Sequence, residues 1–216
     1  MARDQITTSK ESYLRNLYKE DEALAEIRKR AAEDDLPIHI SPEEARFLQF
    51  LIRSHNVVSI VEIGTHFGYS ARAMHAALPA HGQLYTCEKD QRRAAEAAKH
   101  FEDTTIQLLV GDARVNLQEL TAKAPFDMVF IDANKNAYLD YYEWAVKNVR
   151  IHGLIVIDNT FLMGTVYGET PPQNIKPAMV EKMRAFNTFV ANDPRVFSTT
   201  LPTMEGLTLV FKITNQ

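Results

Sequence analysis

The stretch FDMVFIDANKNAYLDYYEWAVKNVRIHGLIVIDN, residues 126–159, holds one complete unit of the fold. It opens on an apolar run, FDMVFID (126–132), passes through a helical segment at about 137–149, and closes on a second apolar run, GLIVIDN (153–159). Short runs rich in Val, Ile and Phe, without alternation, are how strands covered on both faces read. Strand, helix, strand in that order predicts a parallel pair joined by a right-handed crossover.

The same pattern extends upstream. VVSIVEIG (57–64), QLYTCE (83–88) and IQLLVGD (106–112) are further buried strands, with helices between them at about 69–79, 90–102 and 114–123. Downstream, a loop at 160–176 leads to a helix at about 177–191. RVFSTTLP and GLTLVFKI then lie close together, joined by Thr203-Met204-Glu205-Gly206, which reads as an antiparallel hairpin closing one sheet edge. The expected fold class is α/β: a seven-stranded, mostly parallel sheet with an antiparallel C-terminal hairpin and helices on both faces.

The N-terminal third is helical in pattern. Ser41-Pro42-Glu43-Glu44 is a helix start, with Ser as N-cap, Pro at the first position and acids in the first turn. That helix should run to about Ser54 and bury Phe47, Leu48, Leu51 and Ile52. Before it, residues 9–34 place Tyr13, Leu14, Leu17, Leu24 and Ile27 at roughly helical spacing, and Pro37 ends the region. No linker or repeat interrupts the chain, so residues 1–216 are read as a single domain with a helical extension at 1–36.

Composition narrows the classes. The 216 residues are 45% hydrophobic and 24% charged, with net charge -4 and pI near 6.0, which gives no general nucleic-acid footprint. Cys87 is the only cysteine, so an internal disulfide is excluded and a reducing compartment suits the chain. No apolar run reaches the roughly 20 residues that span a bilayer, and MARDQITTSKESYLRNLYKEDEALAEIRKR has no signal-peptide core. The expected location is cytoplasmic, with no membrane partner.

In an open α/β sheet, ligands sit beyond the carboxyl ends of the strands. Polar residues end an unusual number of these runs: Glu62, Glu88, Asp112, Asp132 and Asp158-Asn159. After Glu62 comes Ile63-Gly64-Thr65-His66-Phe67-Gly68-Tyr69-Ser70, whose glycines let the backbone approach a ligand. It is neither the three-glycine dinucleotide fingerprint nor a phosphate loop. Glu88, about 25 residues on, can accept from both hydroxyls of a ribose. Together these point to an adenosine-containing cofactor without a pyrophosphate; the alternatives are a tight turn and a solvated carboxylate.

Asp132 and Asp158-Asn159 end the fourth and fifth strands. Consecutive parallel strands are expected to be neighbours, roughly 5 Å apart, so three oxygen-bearing side chains converge at one rim. Two adjacent carboxylates repel unless a cation intervenes, and a hard ion such as Mg²⁺ fits oxygen donors. The alternative is that each residue caps the following helix. Lys135, three residues after Asp132, is repelled by such a cation in its charged form, which makes it a candidate general base.

These motifs in this order resemble the metal-dependent O-methyltransferases related to catechol and caffeoyl-CoA O-methyltransferases. The resemblance runs from about Ile38 to Ile213 and is carried by VEIGTHFGYSA, YTCE, VGDA, FIDANKNAYLDYYE, IDNTFLMGTV and NDPRVFSTTLPTMEGLTLVFK. It implies a Rossmann-like methyltransferase domain and S-adenosylmethionine as methyl donor. Glu62, Gly64, Thr65 and Ser70 would line the methionine and ribose end of the donor, and Glu88 would hold the ribose. Ala113 would border the adenine, Ile40 would add a contact, and Asp132 and Asn134 would lie beside the donor. Asp132, Asp158 and Asn159 match the metal ligands, for Mg²⁺ or alternatively Ca²⁺ or Mn²⁺. Lys135 matches the lysine that deprotonates the acceptor hydroxyl, and Asp132 is the second catalytic residue the resemblance implies.

Two departures bear on the acceptor. The family often has Asp-Ala-Asp-Lys where this chain has Asp132-Ala133-Asn134-Lys135, and Met163 stands where the plant acyl-CoA enzymes carry Asn. The implied reaction is methylation of a small, catechol-like phenol. The rival readings are methylation of a tRNA wobble hydroxyuridine, for which Arg28, Lys29 and Arg30 supply local positive charge, and a non-catalytic donor-binding module. Relatives of this kind are often homodimers, and the N-terminal helices are expected across the acceptor pocket or against a second subunit.

Overall fold

The computed structural model describes residues 9–33, 39–172 and 175–215. The first eight residues of the extension, the break at Pro37 and residues 173–174 of the expected loop lie outside them. Seven strands form the sheet: β1 (Ser59–Ile63), β2 (Gln83–Glu88), β3 (Ile106–Val110), β4 (Phe126–Ile131), β5 (Val149–Ile157), β6 (Val196–Leu201) and β7 (Leu207–Lys212). Their order is β3-β2-β1-β4-β5-β7-β6. The pairs β1–β4, β2–β3 and β4–β5 are parallel, while β5–β7 and β6–β7 are antiparallel. Helices lie on both sides of the sheet, as the alternating pattern requires.

The expectation that consecutive parallel strands are neighbours fails once. β4 pairs with β1, not β3. Right-handed crossovers that always step the same way would cover only one sheet face. Reversing direction after β3 sends the later helices to the other face. The reversal makes a topological switch point at β1 and β4, where open α/β sheets take their ligands.

The helices are α1 (Ser9–Leu17), α2 (Glu22–Ala31), α3 (Pro42–Ser54), α4 (Tyr69–His75), α5 (Gln91–Lys99), α6 (Ala113–Leu120), α7 (Tyr138–Asn148) and α8 (Pro177–Ala191). Several are shorter than their sequence pattern, because tight turns take over the ends: Thr121–Lys123 after α6 and Lys135–Ala137 before α7 are 3-10 turns. Among the described residues, no helix is long and apolar enough to cross a membrane.

The chain forms two compact units, each with its own core. The described residues up to 59, with 65–112, make the first. There α3 begins at the expected capping box: the Ser41 hydroxyl accepts from Glu44 N at 3.1 Å, and the Glu44 carboxylate accepts from Ser41 N at 2.8 Å. The apolar stripe of α2 (Leu24, Ile27, Ala31) is buried and finds its partner within the chain, on α4. Tyr69 Oη donates to Glu20 at 2.6 Å, and Arg15 pairs with Glu43 at 3.0 Å. Tyr13 and Leu17 of α1 remain exposed.

The second unit comprises residues 60–64 and 113–216, of which 173–174 and 216 are not described. Ile60, Ile63, Met128, Phe130, Ile155 and Val156 fill its sheet, and Tyr138 and Tyr142 meet Phe186 edge-on. Tyr142 Oη donates to Asp193 at 2.8 Å, and Arg195 forks between Asp193 and Glu143. Burial, with the Asp193 carboxylate beside it, pushes the Tyr142 phenol well above its usual range, so it stays a donor. This network ties α7 to the segment that leads into β6.

Candidate active site

β4 and β5 run in register, with Ile131 opposite Ile157. The residues that follow, Asp132 and Asp158, therefore leave the sheet at one rim. Main-chain bonds hold both: Asp132 N donates to Ile63 O at 2.9 Å and Asp158 N to Ile131 O at 3.0 Å. Asp158 is fully buried, and its Oδ1 accepts from Asn159 N at 2.7 Å. Asn159 takes a left-handed φ of +59°, a conformation asparagine tolerates better than most residues.

Lys135 stands on the 3-10 turn before α7. Asn134 caps that turn, its Oδ1 accepting from Asn136 N at 3.1 Å. The turn aims the lysine back at the strand ends. Its Nζ donates to Asp132 Oδ1 at 3.2 Å, to Asn159 Oδ1 at 2.5 Å and to Tyr138 Oη at 2.7 Å. Tyr138 in turn donates to the main-chain oxygen of Asp158 at 2.9 Å, and the ammonium lies 4.9 Å from its ring centroid. Three expected groups, Asp132, Lys135 and Asn159, thus meet at one atom, and Asp158 is tied to them through Asn159 and Tyr138.

The structure adds Tyr138, which the motif contains but to which the sequence assigned no role. The signal was present: Lys135 and Tyr138 are three apart, a spacing that brings side chains together on a helical turn. Asn134 proves to be the capping residue that sets the turn.

Asp132 and Asn159 already direct oxygens at a single positive atom, and with Asp158 the set is two carboxylates and one amide, all oxygen. That chemistry suits a hard divalent ion with open positions left for other oxygens. Among the described residues no group of three or more His, Cys, Asp or Glu side chains could hold a metal, so an oxygen donor set at this rim would have to count the Asn159 amide.

Gly64 closes β1 against the same rim. Its φ is +106°, and a Cβ there would overlap the Asp132 carbonyl oxygen, with the carbonyl carbon at 2.8 Å. Glu62 is fully buried on β1, and Ala113, the first residue of α6, is also buried. In the first unit, Thr65 N donates to Cys87 O at 3.2 Å and its hydroxyl meets that of Thr86 at 2.5 Å. Glu88 accepts from His66 N and Asp90 N, each at 2.8 Å. The carboxylate expected at a ribose therefore also fixes the turn after β1, while retaining further lone pairs. Ser70 is half-buried in the first turn of α4, and Ile40 is buried just before the Ser41 cap.

A parallel sheet reversed at β1 and β4, closed by an antiparallel hairpin and carrying acids at its strand ends, is the architecture of the Rossmann-like methyltransferases. The chain belongs to the O-methyltransferase family, whose profile matches residues 14–213. It is 36% identical to the catechol O-methyltransferase of Niastella koreensis over 206 residues, covering 92% of this chain and 91% of that protein. Among solved structures it resembles the O-methyltransferase TomG of Streptomyces achromogenes, involved in tomaymycin synthesis and solved with SAM. That match has a TM-score of 0.87 and 32% identity, covering 99% of this chain and 100% of TomG. An O-methyltransferase of Bacillus cereus, solved with SAH, matches with a TM-score of 0.85 and 30% identity over 95% of this chain and 97% of its own.

Proposed function

We propose that this protein transfers a methyl group from S-adenosylmethionine to a hydroxyl of a small, catechol-like phenol. Asp132, Asp158 and Asn159 would hold a divalent cation, Mg²⁺ first, with Ca²⁺ or Mn²⁺ as alternatives. The observation that carries this reading is the convergence of Asp132 and Asn159 oxygens on the Lys135 ammonium at the switch point. The donor is supported by the Streptomyces and Bacillus structures, solved with SAM and SAH. Glu62, Gly64, Thr65, Ser70, Glu88, Ala113, Asn134 and Ile40 are the residues assigned to it.

When bound, the donor supplies an electrophilic methyl and the cation supplies Lewis acidity toward adjacent acceptor oxygens. The chain's own residues do the rest. In its neutral amine form Lys135 accepts the hydroxyl proton at Nζ and becomes the ammonium, and Tyr138 Oη keeps that nitrogen at the strand ends. Gly64 lets β1 close on Asp132, so that the groups are set before the acceptor arrives. Met163 and Tyr167, both exposed on the loop after Asn159, give the acceptor an apolar, aromatic wall.

The deciding experiment is a methyl-transfer screen with labelled donor over catechols, flavonoid-like phenols, hydroxycinnamoyl thioesters and bulk tRNA. Catechols should be labelled fastest, and excess EDTA should abolish transfer until Mg²⁺ is restored. Preferential labelling of tRNA would overturn the phenol assignment, and full activity in EDTA would remove the cation. We read the chain as one donor-binding domain acting in the cytoplasm, which suits a chain whose one cysteine, Cys87, is buried. The exposed Tyr13 and Leu17 favour a homodimer; a monomer by light scattering at micromolar concentration would refute it.

A further inference from the structure

The loop after Asp158 and Asn159 is wound in a hand that L-residues avoid. Leu162, Met163 and Gly164 have φ of +48°, +55° and +77° in succession. Two consecutive non-glycine residues hold such a conformation only where their surroundings over-determine it, and such segments cluster beside ligands.

The turn of the β6–β7 hairpin supplies the restraint. Glu205 Oε2 accepts the N–H of Met163 at 2.9 Å, and the Glu205 main-chain oxygen accepts that of Phe161 at 2.8 Å. Gly206 O accepts from Thr160 twice, from N at 3.1 Å and from the hydroxyl at 3.0 Å. Gly206 itself has φ +76°, and a Cβ there would stand 2.5 Å from the Phe161 ring. The hairpin therefore lies against the loop with no room for a side chain. Across the left-handed residues, Phe161 meets Tyr167 edge-on at 5.3 Å, while Met163 is 45% and Tyr167 61% exposed.

We infer that Glu205 is a positioning residue that sets acceptor selectivity. Its carboxylate caps the Met163 N–H, fixes the left-handed turn, and so aims Met163 and Tyr167 at the methyl acceptor. This rests on the acceptor wall proposed above. Selectivity is then controlled from a residue 42 positions further along the chain that touches no reacting atom. A carboxylate oxygen is a strong acceptor for a main-chain N–H. Glutamine at the same place keeps an acceptor oxygen at the same reach; alanine has none.

The test compares Glu205→Ala, Glu205→Gln and the wild type. Amide hydrogen exchange over residues 159–168 should quicken roughly tenfold in the alanine variant and stay near wild type in the glutamine variant. Acceptor KM should rise roughly tenfold in Glu205→Ala, unequally for a catechol and a bulkier thioester, with kcat within about twofold and donor affinity unchanged. Unchanged exchange overturns the clamp whatever the activity. Faster exchange with unaltered acceptor KM and selectivity overturns the positioning role. A wild type that methylates no acceptor sinks the function proposed above, while the exchange result still decides the clamp. If Glu205→Ala does not fold, Glu205→Asp, too short by one methylene to reach Met163 N, takes its place.

Discussion

Replacing Lys135 by methionine lowers turnover by roughly a thousandfold, the range of a lost general base, and leaves donor affinity within about twofold. Methionine keeps the apolar stem against the Tyr138 ring and removes only the nitrogen. That nitrogen is the atom where Asp132, Asn159 and Tyr138 meet, at 3.2, 2.5 and 2.7 Å. Its loss removes the group assigned to take the hydroxyl proton. It also frees two oxygens assigned to the cation, so Mg²⁺ binding, read by calorimetry, should be no weaker than in the wild type. Loss of donor binding with turnover per bound complex preserved would show that Lys135 belongs to the donor site and not to proton transfer.

Gly64→Ala is the substitution with the largest structural effect. At φ +106° an L side chain is strained whatever the space, and here the added Cβ collides with the main chain of Asp132. Backbone cannot rotate aside as a side chain can. The expected cost is about 3–4 kcal/mol, or a fall in Tm of roughly 10 °C for a domain of this size. Because the collision is with a residue assigned to the cation, Mg²⁺ affinity should fall with stability. Gly68→Ala is the internal comparison. Its Cβ would meet the Phe101 ring at 2.7 Å, a side chain that can turn, so the damage should be smaller despite a φ of +89°. A Gly64→Ala protein with wild-type Tm and Mg²⁺ affinity would show that β1 and β4 do not need this close approach.

Several residues serve two purposes. Glu88 could be a donor-binding acid or a carboxylate with a merely local task. It caps His66 and Asp90, which orders the turn, and it keeps lone pairs for a ligand. Asn134, assigned to the methyl donor in place of an acid, caps the turn that carries Lys135. A capping bond is short-range and compatible with a nearby ligand, so neither observation removes the functional assignment.

The sequence alone determined the elements and the strand-end acids. An uninterrupted apolar run marks a strand covered on both faces, and the first polar residue after it must emerge at the rim. That local rule located Asp132, Asp158 and Asn159 without any knowledge of neighbours. It could not reveal that β4 pairs with β1, because an apolar run packs equally well beside any other. Strand order follows from covering both faces of the sheet, a property of the whole chain. The sequence placed Tyr138 three residues after Lys135, but their contact depends on a 3-10 turn at Lys135–Ala137, ahead of the expected helix. Least legible was the left-handed loop held by Glu205, since Leu162 and Met163 have no preference for that conformation. Their hand is imposed by hydrogen bonds from a hairpin far along the chain, and only the tertiary structure brings that hairpin to them.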